Sequence, residues 1–314
     1  MVQINFNDFA ERLGTELLSK RLNLQAEHAA DIYTRTGYGA FHIENLSPLY
    51  TSLKYLLKFL RLYKQGRKNT LAYQIEENVL SITDLPSEFL GLKILHLSDL
   101  HLDSIWDNGE ALTKQLGRIQ ADVCVITGDF RYHTHGEYRS VVDSIHGLLT
   151  KLSFPKGVFG VLGNHDFIEV VPFLEDIGVQ MLLNESVSIS SGEAELWLCG
   201  IDDAHSYACH DIPKSLGNVP ENSVKILLSH TPEVYEEAYE AGFNSILCGH
   251  THGGQICLPG KIPIITNVQC PRRFSSGSWL YHNMSGYTSR GVGTSFLPVR
   301  YFCPPELTVH ILSR

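Results

Sequence analysis

The sequence predicts an α/β protein: a largely buried sheet, or two packed sheets, flanked by helices. Two observations carry that reading. From Tyr73 onward, short apolar runs recur, each closed by polar or turn-forming residues: Ile94 to Leu97, Val123 to Ile126, Val158 to Leu162, Leu196 to Cys199, Ile226 to Leu228, Ile246 to Cys248 and Leu307 to Leu312. Runs this short read as strands. Between several of them lie helical stretches, Gly109 to Ile119, Glu137 to Leu149 and Glu233 to Ala241, and strands alternating with helices imply a sheet covered on its faces.

The 314 residues give room for one large α/β domain with an appendage, or for two ordinary domains. With 43% hydrophobic and 19% charged residues, the composition excludes disordered, collagen-like and coiled-coil readings. No apolar run approaches a membrane span, and the first residues, with Asp8, Glu11 and Arg12, lack the apolar stretch of a signal peptide. The expectation is a cytoplasmic protein. A formal charge of −9 disfavours a broad basic face for nucleic acid. The seven cysteines are odd in number and lack CxxC spacing, and Cys124, Cys199 and Cys248 sit inside apolar runs. Neither a disulfide scaffold nor a cysteine zinc site fits.

Residues 1–72 differ from the rest and read as an N-terminal helical extension preceding a domain at 73–314. Ser47-Pro48 looks like an N-cap followed by proline at the first helical position, after which Leu49, Leu53, Leu56, Leu57 and Leu60 repeat at helical spacing. Lys54, Lys58, Arg61, Lys64, Arg67 and Lys68 accompany them without one acidic residue between Asn45 and Ile75, so the rest of the chain carries −15. Such a helix packs its leucines on the main domain, the commoner use, or lies on an anionic membrane as a peripheral contact at its inner face. From Asn267 to Pro305 the chain is rich in Pro, Gly, Ser, Arg and aromatics and reads as a long, mostly irregular loop.

The unusual figure is fifteen histidines, and they gather where the strands end. The strand runs close in Ser98-Asp99-Leu100-His101, in Thr127-Gly128-Asp129, in Gly163-Asn164-His165-Asp166, in Ser229-His230, and in Gly249-His250-Thr251-His252-Gly253-Gly254. Alone, an Asp-x-His pair or a Gly-Asp turn is weak, since Asp commonly caps helices and turns. Five such clusters, all at strand carboxyl ends where α/β sheets bind ligands, point to one convergent site. The set is imidazoles, carboxylates and a carboxamide, which suits Mn, Fe, Zn or Co and excludes a sulfur-rich zinc site. Two such ions sharing an oxygen ligand stabilise both the attacking and the leaving oxygen at phosphorus. The chemistry expected is phosphoester hydrolysis.

The order DxH, GD, GNHD, H and GHxH resembles the calcineurin-like metallophosphoesterases over roughly Tyr73 to Arg314. The resemblance implies a four-layer αββα sandwich with two divalent metal ions. It places Asp99, His101, Asp129 and His252 on the first metal and Asp129, Asn164, His230 and His250 on the second. Asp129 would bridge, a metal-bridging hydroxide would attack, and His165, oriented by Asp166, would face the substrate as catalytic residue. Protein phosphatases of the superfamily carry GDxVDRG and GNHE, whereas this chain has Gly128-Asp129-Phe130-Arg131-Tyr132-His133 and GNHD, which counts against a protein substrate. Purple acid phosphatases carry GDxxY, but lack the first-motif histidine that is present here as His101. The GHTHGG ending most resembles bacterial membrane-associated phosphohydrolases. The substrate expected is therefore a phosphodiester or phosphomonoester of a small molecule or lipid headgroup, with Arg131, His133, His135, Arg272 and Arg290 as the cations to bind it. A nuclease is the alternative, disfavoured by the acidic balance; a metal-free binding scaffold is a further one, disfavoured because every ligand is present.

Overall fold

The computed structural model describes residue 2 and residues 4–34, 47–134 and 138–314. Two six-stranded sheets form its centre. The first runs in the order β1 (Gln74–Ser81), β14 (Glu306–Ser313), β2 (Lys93–Leu97), β3 (Val123–Thr127), β4 (Val158–Val161) and β5 (Gln180–Met181). The strands β2 to β5 are parallel, β14 is antiparallel to β2, and β1 is parallel to β14. In the second the order is β12 (Gly277–Tyr281), β13 (Met284–Thr288), β9 (Ser245–Cys248), β8 (Lys225–Leu228), β7 (Ala194–Gly200) and β6 (Glu185–Ser191), parallel from β13 to β7.

Apolar residues on both faces of each strand dictate the layering, because successive side chains point to opposite sides. Ile94, Val123, Val125, Phe159 and Val161 of the first sheet meet Leu196, Leu198, Ile226, Leu228 and Leu247 of the second in one buried cluster. The alternate residues Leu95, Leu97, Cys124 and Ile126 face outward onto helices α5 (Glu110–Leu116), α6 (Arg139–Leu149) and α7 (Val171–Asp176). Cys199, Leu227, Ile246 and Cys248 do the same onto α8 (Ile212–Ser215) and α9 (Tyr235–Glu240). The result is the four-layer αββα sandwich.

The first two helices, α1 (Phe6–Leu13) and α2 (Thr15–Thr34), join the first outer layer. Phe9, Leu13 and Leu18 are buried in the same cluster as Leu97 and Leu183, and Arg12 forms ion pairs of 2.9 and 2.8 Å with Glu175 and Glu185. Helix α3 (Ser47–Phe59) begins at the expected Ser47 and is followed by α4 (Tyr63–Asn69). Leu57 alone of its described leucines is buried, against Leu297 and Val299. The start of the predicted helix at Glu137 lies outside the described residues.

The stretch from Asn267 to Pro305 is not the irregular loop expected. It contains the β12–β13 hairpin, registered Trp279 opposite Gly286 and turning at His282, whose φ is +52°. The Trp279 ring lies flat where a Cβ on residue 286 would stand, so glycine there is a packing requirement. Its Gly and Ser residues hid the strand period.

Between the sheets lies a polar chain: Asn78 to His310 at 2.9 Å, His310 to His96 at 3.2 Å, and His96 to Thr127 at 2.9 Å. Both histidines are fully buried. Burial lowers the His96 pKa to about 3 and holds His310 well below the usual histidine range. An unfolded histidine titrates near 6.5, so from about pH 6.5 down to 3 the unfolded chain binds more protons and stability falls with pH. Thermal unfolding should show a midpoint lower at pH 5 than at pH 7.5, and the difference should shrink when both residues are replaced by Gln. An equal pH dependence in that double variant would exclude this pair as its source.

Candidate metal centre

The carboxyl ends of β2, β3 and β4 in one sheet and of β8 and β9 in the other come together at one place. Backbone bonds hold the loops together there. Asp99 donates its amide to Gly128 at 3.0 Å, His101 to Asp129 at 3.0 Å, Gly249 to His230 at 2.8 Å, and His250 to the Asp99 carboxylate at 3.0 Å. Glycine is needed where these turns touch. A Cβ at Gly163 would collide with the Asp129 carboxylate, and one at Gly249 with Ser98 and Asp99. The clustered residues themselves take the left-handed backbone that L-residues avoid: φ is +49° at Asp99, +41° at His101, +56° at Asp129, +68° at His250 and +49° at His252. Such strain costs about 1–3 kcal/mol per residue and collects at functional sites.

All seven expected ligands converge. The Asp129 Oδ2 atom lies 3.6 Å from His101 Nε2 and 3.5 Å from His230 Nε2. His252 Nε2 is 3.5 Å from Asp99 Oδ1 and 3.3 Å from His101 Nε2. Asn164 Oδ1 is 2.9 Å from both His230 Nε2 and His250 Nδ1. Each carboxylate or imidazole named here is at most 8% exposed.

Protonation follows from the outer contacts. A carbonyl can only accept, so each ring nitrogen facing one carries the proton and the other is left bare. His101 donates from Nδ1 to Arg131 O at 2.9 Å, His230 from Nδ1 to Thr127 O at 2.8 Å, and His250 from Nε2 to Asn267 O at 3.2 Å. Their bare nitrogens face each other and the Asn164 oxygen. Burial, then neighbouring imidazoles, holds His250 and His252 well below the usual histidine range. Burial, reinforced by the charge on Asp129, pushes the Asp99 carboxyl up to about 6. Its Oδ1 is buried without a hydrogen-bond partner. Acceptors packed against acceptors, with an orphaned carboxylate oxygen among them, fit divalent cations. Three groups of side chains could hold an ion: Asp99, His101 and His252; His101, Asp129 and His165; and Asp99, Asp129 and His230.

His165 also faces the cluster, its Nε2 3.9 Å from Asp129 Oδ2. Its orienting partner differs from expectation. Nδ1 donates to the Tyr132 carbonyl at 2.5 Å, whereas the Asp166 carboxylate accepts backbone amides from Asp129 at 2.7 Å, Phe130 at 3.0 Å and Gly163 at 3.0 Å. Three short amide bonds occupy both oxygens, so Asp166 shapes the Asp129 turn instead of the imidazole.

The expected substrate cations fare differently. Arg131 is buried behind the centre, donating to Thr134 O at 2.8 Å and His165 O at 3.4 Å. Arg290 pairs with Glu76 at 2.6 Å and with Glu306 at 2.8 Å. Arg272 is exposed and donates to Ile264 O at 3.3 Å. His133 is exposed, with its backbone amide on Asp103 at 3.0 Å, and His135 lies outside the described residues. Two further groups adjoin the centre. His205 pairs with Glu233 at 2.9 Å, its ring centroid 4.3 Å from that of His250. Arg300, fully buried, bonds Gly293 O at 2.6 Å and approaches His252 Nδ1 at 3.4 Å.

A family model described as calcineurin-like phosphoesterase matches residues 92–254, the span from β2 through the GHTHGG turn. The chain is 30% identical over 269 residues to the uncharacterised metallophosphoesterase YkoQ of Bacillus subtilis, covering 81% of this chain and 96% of that protein. It is 27% identical to the phosphodiesterase YaeI of Escherichia coli, covering 69% and 80%. To the UDP-2,3-diacylglucosamine pyrophosphatase LpxG of Chlamydia muridarum it is 24% identical, covering 76% and 91%. With the family model matched over more than half of its length, and with its strand-end His, Asp and Asn clusters in the expected order and in contact, the chain belongs to the calcineurin-like phosphoesterase family and is a metal-dependent phosphoric ester hydrolase.

Proposed function

We propose that the chain is a dinuclear phosphoesterase acting on a phosphodiester or phosphomonoester of a small molecule or lipid headgroup. The observation that carries this reading is the position of Asp129 Oδ2, equidistant within 0.1 Å from His101 and His230, so that one charge serves two nitrogen sets. Bound Mn, Fe, Zn or Co ions would supply Lewis acidity at phosphorus and lower the pKa of water. Asp99, His101, Asp129 and His252 would hold one ion; Asp129, Asn164, His230 and His250 the other. His165 Nε2 faces the same space and would deliver a proton to the departing oxygen while the Tyr132 carbonyl fixes its ring. Hydrolysis by metal-loaded protein across monoesters, diesters, nucleotides and phospholipid headgroups tests the assignment, and inertness toward all of them would refute it.

The lipid-headgroup branch and peripheral membrane contact have their own support. YaeI is named a phosphodiesterase and LpxG a UDP-2,3-diacylglucosamine pyrophosphatase, the latter for a substrate that carries two acyl groups. On and after α3, Tyr55, Leu56, Phe59, Leu60 and Leu62 are 44–84% exposed beside Lys58, Arg61, Lys64, Arg67 and Lys68. Aromatic and leucine side chains flanked by cations suit an anionic bilayer surface. Among the described residues, no helix is long and apolar enough to cross a membrane.

Asp129→Asn keeps the shape but removes the shared charge, so metal analysis should find one or both ions lost and turnover abolished in a folded protein. Wild-type metal content with wild-type turnover would disprove the bridge. His165→Ala should slow alkyl phosphoesters by about 10²–10⁴-fold and nitrophenyl esters far less, since nitrophenolate leaves without a proton. Equal slowing of both would assign His165 to electrostatic binding. The protein should also sediment with anionic vesicles, less so at high salt and less so as the Phe59→Ser, Leu60→Ser variant; recovery independent of anionic lipid would leave α3 a packing element.

A further inference from the structure

Arg21 lies on α2, outside the 92–254 span that the family model matches, yet its guanidinium reaches the back of the metal centre. It is 0% exposed. Nη1 donates to the Asp202 carboxylate, Nη2 to the Asp166 carbonyl at 2.6 Å and Nε to Gln25 Oε1 at 3.1 Å, while its face covers the Tyr207 ring at 4.2 Å. One turn along the helix, the same Gln25 oxygen accepts the Ile168 amide at 2.9 Å and its amide nitrogen donates to Glu169 at 3.0 Å. Helix α2 therefore grips residues 166–169 at three points.

Both loops held by this fork carry groups of the centre. Asp166 is the residue whose carboxylate gathers the amides of Asp129, Phe130 and Gly163. Asp202 starts the loop in which Asp203 accepts the amides of His205, Ser206 and Tyr207 at 3.3, 2.7 and 2.8 Å, placing His205 against His250. A buried ion pair can often be exchanged for apolar residues without loss of stability, so stability alone does not account for a guanidinium here. Its planar fork can bond two separate loops at fixed angles, which no apolar side chain and no lysine can do.

We propose that Arg21 is a positioning residue: it fixes the Asp166 main chain, through Asp166 the Asp129 turn, and so sets the metal centre from the N-terminal helices. The proposal rests on the metallophosphoesterase reading. It makes α2 part of the catalytic unit.

Two variants of the full chain are compared, and a third, Arg21→Ala, serves for chemical rescue. Arg21→Met with Asp202→Asn removes the pair without stranding a charge; Arg21→Lys keeps the charge without the fork. Mn is titrated calorimetrically into metal-stripped protein, and kcat and KM are measured on an alkyl phosphodiester below each variant's thermal midpoint. Both variants should fold, with Mn affinity and kcat lower by about 10–100-fold and KM changed less. Guanidinium ion should partly restore kcat to Arg21→Ala, where sodium at equal ionic strength does not. Folded variants with wild-type Mn affinity and kcat overturn the proposal whatever their thermal midpoint, and failure of both to fold overturns it by making Arg21 a fold determinant. Wild-type protein that binds Mn but hydrolyses no ester refutes the proposed function instead, and Mn affinity then remains the measure of Arg21.

Discussion

Two carboxylates, Asp99 and Asp129, are buried at 0% and 2% exposure among imidazole nitrogens that are themselves acceptors, and the rest of the molecule is arranged around that constraint. An isolated buried carboxylate is expensive. Here the surroundings make it tolerable by directing amides at it: His165 N to Asp129 at 2.9 Å and His250 N to Asp99 at 3.0 Å. Bringing main chain that close requires the glycines at 163 and 249 and the left-handed turns at Asp99, Asp129 and His250. The two-sheet sandwich is what lets amides arrive from opposite directions.

The residues that converge at the centre were legible because their signal is local. A polar cluster directly after an apolar run marks a strand end, and within two of these clusters a spacing of two sets Asp99 beside His101 and His250 beside His252. Strand positions were legible for the same reason, since buried parallel strands are nearly continuous apolar runs. Four layers came from resemblance, because periodicity does not reveal how many sheets a chain builds. The hairpin at 277–288 was hidden by small residues that serve the Trp279 ring. Edge strands β1 and β6, half open to solvent, had no apolar run to betray them.

What the sequence concealed was carried by the main chain or by distant partners. The carbonyls of Tyr132, Arg131, Thr127 and Asn267 fix four imidazoles, and any residue type supplies a carbonyl. Asp166 reads as a partner for its neighbour His165, but the amides of the Asp129 turn reach it first. Arg290 reads as a loop cation, and only the fold brings Glu76 and Glu306 to it. Arg21 pairs with Asp202 across 181 positions, a separation no local pattern spans.

The strand order of the first sheet has a kinetic meaning. Strand β14 inserts between β1 and β2, pairing Gln74 with Glu306 and His96 with Thr308, so this sheet cannot close until residues 306–313 have been synthesised. Closing so long a loop is slow, because its entropy must be surrendered before the contacts reward it. During synthesis the DxH and GD segments exist for a time at the ends of an incomplete sheet, without the GHTHGG turn that joins them in the folded chain. The centre, drawn from both sheets, is therefore complete only once segments distant in the chain have met.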